Sequence, residues 1–184
     1  LRLKTNFDSQ GKKDDFHENG RPKTYLTMIV EDGMIYAGRE DKTWKIWRKY
    51  QNKHRKGEEF YDPVVSLCHE NLINVTLYVD EYFIYMTGDS GILTVWKKPK
   101  DPSQMVQSHF KSKIYELERM SKTSSCGLFH GNRLYISSSD EKKKICCYSL
   151  EEFNEKGGLP EKVNFLLEIN NEQITPSKEV KGVY

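Results

Sequence analysis

The chain has 184 residues, 36% of them hydrophobic and 30% charged, with a formal net charge of +2. That composition suits one folded domain with a substantial core and excludes disorder throughout. The longest apolar runs, such as Phe83 to Met86, fall far short of the ~18 residues of a membrane helix; no signal peptide is visible, and the basic excess of an electrostatic nucleic-acid binder is missing.

Leu1 to Phe7 alternates like a strand already under way, so residues 1–14 are expected to end a preceding unit or to form a linker. Tyr25 to Val30 reads as a strand, Glu31-Asp32-Gly33 as a hairpin turn, Met34 to Gly38 as the next strand and Thr43 to Lys49 as a third. The Asp-Gly pair supplies the backbone freedom that a tight hairpin requires. The order recurs in Asn74 to Val79, the turn Asp80-Glu81-Tyr82, Phe83 to Gly88 and Ile92 to Lys97. It recurs again in Ser125 to Phe129, His130-Gly131-Asn132, Arg133 to Ser138 and Lys144 to Leu150. Glu58 to Leu67, Ser112 to Leu117 and Lys162 to Ile169 are the candidates for a fourth strand in each unit.

These are repeats. Tyr36, Tyr85 and Tyr135 occupy one position of the three units and lie 49 and 50 residues apart, a period that points to stacked supersecondary units. Four antiparallel strands per ~40–50 residues is the layout of a propeller blade.

The segment Gly38-Arg39-Glu40-Asp41-Lys42-Thr43-Trp44-Lys45-Ile46-Trp47 resembles the WD40 repeat signature, with a glycine, an aspartate six residues before the closing tryptophan, and alternating apolar positions. Gly88-Asp89-Ser90-Gly91-Ile92-Leu93-Thr94-Val95-Trp96 is a second copy, with Ser90 at the turn-aspartate position, and the third unit ends on Tyr148. The Trp-Asp dipeptide itself is missing, replaced by Trp47-Arg48 and Trp96-Lys97. The resemblance implies an all-β fold of four-stranded antiparallel blades belonging to a larger propeller: residues 15–70, 71–121 and 122–170 as blades, and 171–184 as the approach to a following one. It also implies structural roles for His17, Asp41 and Trp47 as one hydrogen-bonded network, and for His69 and Trp96 in the second unit. Three blades do not close a ring, and an open pile of three sheets exposes two large apolar faces. Further blades are therefore expected from the same parent chain or a partner.

The densest charge run is Lys45, Arg48, Lys49, Lys53, His54, Arg55 and Lys56. It is either a solvated loop balanced by Glu58 and Glu59 or a belt for a phosphate-rich partner, RNA or phosphoinositide membrane. In strand register Trp44 and Ile46 share one face and Lys45 and Trp47 the other, which assigns Trp44 to core packing rather than base stacking. The connections Gln51 to Pro63 and Pro99 to Val106 read as long loops suited to contacts.

No nucleophile, base and orienting group fall together, so no catalytic residue is expected. No C-x-x-C or H-x-x-x-H spacing supports a metal, and no cofactor motif is present. Cys68, Cys126, Cys146 and Cys147 are too sparse for a secreted disulfide framework, which suggests reduced thiols in a cytoplasmic or nuclear protein. The functional expectation is a non-catalytic protein–protein interaction scaffold within a multiprotein assembly. Its rivals are the phosphate-ligand propeller and a substrate-receptor subunit of a ubiquitin ligase; the Trp-Asp-x-Arg pattern of one receptor class is absent from Trp47-Arg48-Lys49-Tyr50.

Overall fold

Three tight turns set the topology. Asp32 and Gly33 hold φ of 49° and 71°, the two left-handed residues of a two-residue hairpin, and Glu31 pairs with Met34 across it. Gly131, at φ 55°, does the same work between His130 and Arg133. The middle turn uses a side chain: Asp80 Oδ1 accepts hydrogen bonds from the Tyr82 and Phe83 amides at 2.8 and 2.7 Å, and its Oδ2 accepts the Tyr85 hydroxyl at 2.8 Å.

The computed structural model describes residues 23–51, 59–68, 76–88, 91–99, 110–120, 124–138, 144–153 and 158–169. All its regular elements there are strands: β1 (Tyr25–Glu31), β2 (Met34–Arg39), β3 (Thr43–Gln51), β4 (Glu59–Cys68), β5 (Thr76–Val79), β6 (Phe83–Thr87), β7 (Ile92–Lys97), β8 (Lys111–Glu116), β9 (Ser124–His130), β10 (Arg133–Ser138), β11 (Ile145–Ser149) and β12 (Phe165–Ile169). Each consecutive group of four forms its own antiparallel sheet in chain order. The fold is all-β, three propeller-like blades in sequence.

The sheets converge along their first strands, β1 beside β5 and β5 beside β9, and two separate cores fill the spaces between them. The first core takes Met34, Tyr36, Trp44, Ile46, Val65 and Leu67 from the first sheet against Leu77, Val79, Ile84 and Met86 from the second. The second takes Phe83, Tyr85, Leu93 and Val95 from the opposite face of the second sheet against Leu134, Ile136, Cys146 and Tyr148. Strict alternation along β6 therefore serves both cores, and every residue of that strand is buried. Trp44 meets Trp96 edge-on at 5.7 Å across the first core, the packing role expected of it.

Close approach in the second interface depends on Gly127 of β9. A Cβ there would lie 2.8 Å from Thr87 Cγ2, and its amide donates to Thr76 Oγ1 at 3.3 Å. β9 thus meets the second sheet through a glycine set against Thr76 of β5 and Thr87 of β6.

Two expectations are corrected. Gln51 to Pro63 is not one long loop: β3 runs to Gln51 and β4 begins at Glu59, with Gln51 paired to Glu59 and Lys49 to Tyr61. Pro63 is accommodated on this edge strand, where the register shifts between Ile46 and Trp47. β12 starts at Phe165 rather than Lys162, because Pro160 is held toward the second sheet, its carbonyl accepting Lys113 Nζ at 2.6 Å and the Tyr115 hydroxyl at 3.0 Å. Asn74 lies outside the described residues.

Burial between sheets gives two expected outcomes in urea denaturation. Leu93→Ala, fully buried in the second core, will cost about 2–5 kcal/mol, whereas Leu128→Ala at an exposed site will stay within about 0.5 kcal/mol of wild type. Gly127→Ala will cost about 1–3 kcal/mol through overpacking, and a Thr87→Ser background, which removes the clashing methyl, will recover part of that loss.

Candidate interaction surface

Asp41, at the β2–β3 turn, is bound locally. Its Oδ1 accepts the Thr43 hydroxyl at 2.5 Å and the Thr43 amide at 3.2 Å, while Lys23 Nζ and Arg39 Nη2 lie 2.7 and 3.3 Å from Oδ2. Burial pushes its pKa up, but the Lys23 and Thr43 hydrogen bonds and the Arg39 charge more than reverse this, leaving it at about 2. Arg39 is buried and also lies over the Tyr25 ring at 5.6 Å, and Trp47 meets the same ring edge-on at 5.6 Å. Asp41 and Trp47 are thus joined through Arg39 and Tyr25, a link that alternation alone did not reveal. His17 and His69 lie outside the described residues. Trp96 Nε1 is buried with no hydrogen-bond partner among the described residues; its indole contributes packing.

The described part of the basic run divides. Lys45 is buried, Arg48 is half-buried and only Lys49 is exposed. Lys45 lies opposite Ala37 and Ser66, whereas Arg48 lies opposite Met34 and Asp62, on the other face of the sheet. Lys53, His54, Arg55 and Lys56 lie outside the described residues. No group of three or more His, Cys, Asp or Glu among the described residues is placed to hold a metal ion.

The register of the repeats shows where apolar surface is left open. Leu77 and Val79 of β5 are 6% and 5% exposed against the first sheet; Met28 and Val30, at the same repeat positions in β1, are 57% and 58% exposed. On the opposite face, one row across the sheets reads Ile29, Tyr36, Ile46, Val65 in the first, Tyr78, Tyr85, Val95, Lys113 in the second and Leu128, Tyr135, Cys147, Leu167 in the third. In the second sheet that row meets the third, with Tyr78 stacked on Phe129 at 5.3 Å. In the third sheet it is an end face, where Leu128 is 62% and Leu167 40% exposed. Exposed apolar side chains thus occur on the outer faces of both end sheets, beside buried Ile35, Ala37 and Lys45 in the first and buried Cys147 in the third.

Burial holds Tyr36 and Tyr85 in the protonated form. Burial, with the charge of Asp80 and the hydrogen bond to it, drives Tyr85 far above the usual phenol range, and burial with nearby Asp32 and Glu31 raises Tyr36 to about 12.

No family model matches the chain, and no curated protein matches it. Solved structures do. The beta-propeller domain of Myceliophteria thermophila Cps50 (Swd1) superposes with a TM-score of 0.56 at 12% identity, covering 92% of this chain and 47% of that one. The computationally designed Ika8 protein gives 0.49 at 14% identity, covering 82% and 37%. Kluyveromyces lactis Hsv2 gives 0.48 at 10% identity, covering 82% and 39%. The chain spans less than half the length of each. What the Cps50 likeness shows is the β-propeller fold.

The Asp41 cluster gives the protein an acid-sensitive joint. Because Asp41 titrates at about 2 when folded against an ordinary 3.8, its contribution is complete above about pH 4 and fades as pH falls toward 2. Asp41→Asn will lower the urea midpoint at pH 7 and flatten its decline between about pH 4 and pH 2.

Proposed function

We propose that the chain is a set of WD40-type blades, bounded at about residues 15–70, 71–121 and 122–170, that serves as a non-catalytic interaction scaffold in a multiprotein assembly. The observation that carries this reading is the matched exposure at the two ends. Met28 and Val30 repeat the positions of Leu77 and Val79, and Leu128 and Leu167 continue the Tyr78 to Lys113 row, yet these four are open. Surfaces of this kind are completed by other protein surfaces. A cytoplasmic or nuclear setting goes with the reading, since Cys146 and Cys147 are free and buried.

The basic-belt alternative draws no support from the described residues, because Lys45 is buried and Arg48 belongs to the opposite face. Contacts at Lys53, Arg55 and Lys56 stay part of the proposal for the rim.

The test is affinity capture of the intact parent protein from its native lysate over a salt series, with Val30→Asp and Leu128→Asp beside a charge-reversed Lys53, Arg55, Lys56 variant. Proteins retained at high salt, lost with either end-face variant and indifferent to the charge reversal are the expected outcome. Recovery of RNA or lipid that depends on the basic residues and disappears with salt would replace the scaffold reading with the phosphate-ligand one.

A further inference from the structure

We propose that β12, the outer edge of the third sheet, is a strand-pairing site that takes an extended, proline-free apolar segment of a partner protein as a fifth strand. Among the described residues the backbone of β12 is hydrogen-bonded to β11 alone. Alternate N–H and C=O groups of such a terminal strand face away from the sheet.

The three outer strands differ in how their edges are defended. Proline, lysine and other charges block the addition of a further strand. β4 contains Pro63, which has no N–H to offer, and β8 carries Lys111, Lys113 and Glu116 within six residues. β12, Phe165-Leu166-Leu167-Glu168-Ile169, has no proline and one charge. That charge is taken up inside its own sheet, where Lys144 Nζ donates to Glu168 Oε2 at 3.1 Å. Leu166 and Leu167, in the middle of the strand, are both exposed.

The edge is anchored at its start, where the Phe165 ring meets Tyr148 edge-on at 5.8 Å and lies 4.4 Å from the Arg119 guanidinium. The bulge opposite Cys147 and Tyr148 falls at that end. It leaves Leu166 without a partner in β11, while Leu167, Glu168 and Ile169 keep a regular register with Cys147, Cys146 and Ile145. A segment laid along that regular stretch gains main-chain hydrogen bonds, and its side chains meet the two leucines, which select apolar residues.

The size of the edge selects the occupant. Two copies joined edge to edge would pair only five residues a side, burying of the order of several hundred Å², below the ~1,200 Å² of a stable dimer. A single extended segment needs no more edge than this. With Glu168 already paired to Lys144, its complement is apolar rather than basic. The edge is also distinct from the end faces of the scaffold reading: Leu128 lies on β9, at the far side of the same sheet, so the two are tested separately.

The test pans a random decapeptide library against the whole chain and follows backbone amide exchange of the chain with each enriched peptide. Peptides rich in Val, Ile, Leu and Phe and poor in Pro are expected, slowing exchange at β12 amides that are unprotected in the chain alone. Leu166→Lys and Leu167→Lys should each weaken binding about tenfold through lost apolar burial, with circular dichroism unchanged. N-methylation of alternate peptide amides should abolish binding, and Leu128→Asp should leave it unaltered. The proposal is overturned if no peptide is enriched, or if binding is indifferent to both lysine variants or falls equally with Leu128→Asp. It is overturned too if the outward β12 amides are already protected in the chain alone, the result expected were residues 170–184 to occupy the edge. A dimer of the chain that the lysine variants dissolve also overturns it, by putting a second copy in place of the partner segment.

Discussion

The structure depends on one constraint: the second sheet is sealed on both faces by side chains that alternate residue by residue. Ile84 and Met86 of β6 enter the first core and Phe83 and Tyr85 the second. A one-residue slip would exchange the two sets and put residues shaped for one interface into the other. The hairpin turns prevent that slip. Asp80 is the clearest case, since one carboxylate holds two amides of the turn and the hydroxyl of Tyr85, tying the local bend to the inter-sheet packing it must keep in phase.

The two cores are chemically different. The first is largely aliphatic around the Trp44–Trp96 contact. The second is a lattice of rings in which Phe153 meets Phe83, Tyr85 and Tyr115 edge-on, and Tyr78 and Phe129 stack beside it. The third repeat's replacement of tryptophan by Tyr148 has a physical reason here. The Tyr148 hydroxyl donates to the Glu118 carbonyl at 2.5 Å, reaching the turn that closes the second sheet, which an indole N–H on a different vector would not match. That turn takes part again through Arg119, which at φ 64° carries its guanidinium 4.4 Å from the Phe165 ring centre.

Most of the fold was legible because two-residue periodicity and turn chemistry are local. Met34 to Gly38, Phe83 to Gly88 and Ile92 to Lys97 match β2, β6 and β7 to within a residue, and Trp44 fell on its core face from alternation alone. The misplaced boundaries depend on non-local contacts. Nothing near Lys162 announces that Lys113 and Tyr115, roughly fifty residues earlier, will hold the Pro160 carbonyl and delay β12. The basic run shows the same limit for sites. Charge density in sequence did not reveal that Lys45 is buried on the outer face of the first sheet while Arg48 lies on the face of the first core. Arg39, buried between Asp41 and Tyr25, escaped notice because a charged residue at a strand end ordinarily reads as solvated.

The Pro160 carbonyl belongs by sequence to the third unit but is satisfied by two side chains of the second. The Glu118 carbonyl belongs to the second and is satisfied by Tyr148 of the third. Opening the two sheets exchanges these hydrogen bonds for hydrogen bonds to water, a net loss of about 0.5–1.5 kcal/mol each. In a linear array, where stability is a sum of unit terms and nearest-neighbour coupling terms, this raises the coupling term at one junction. The second and third units are therefore tied by hydrogen bonds between their turns as well as by apolar burial.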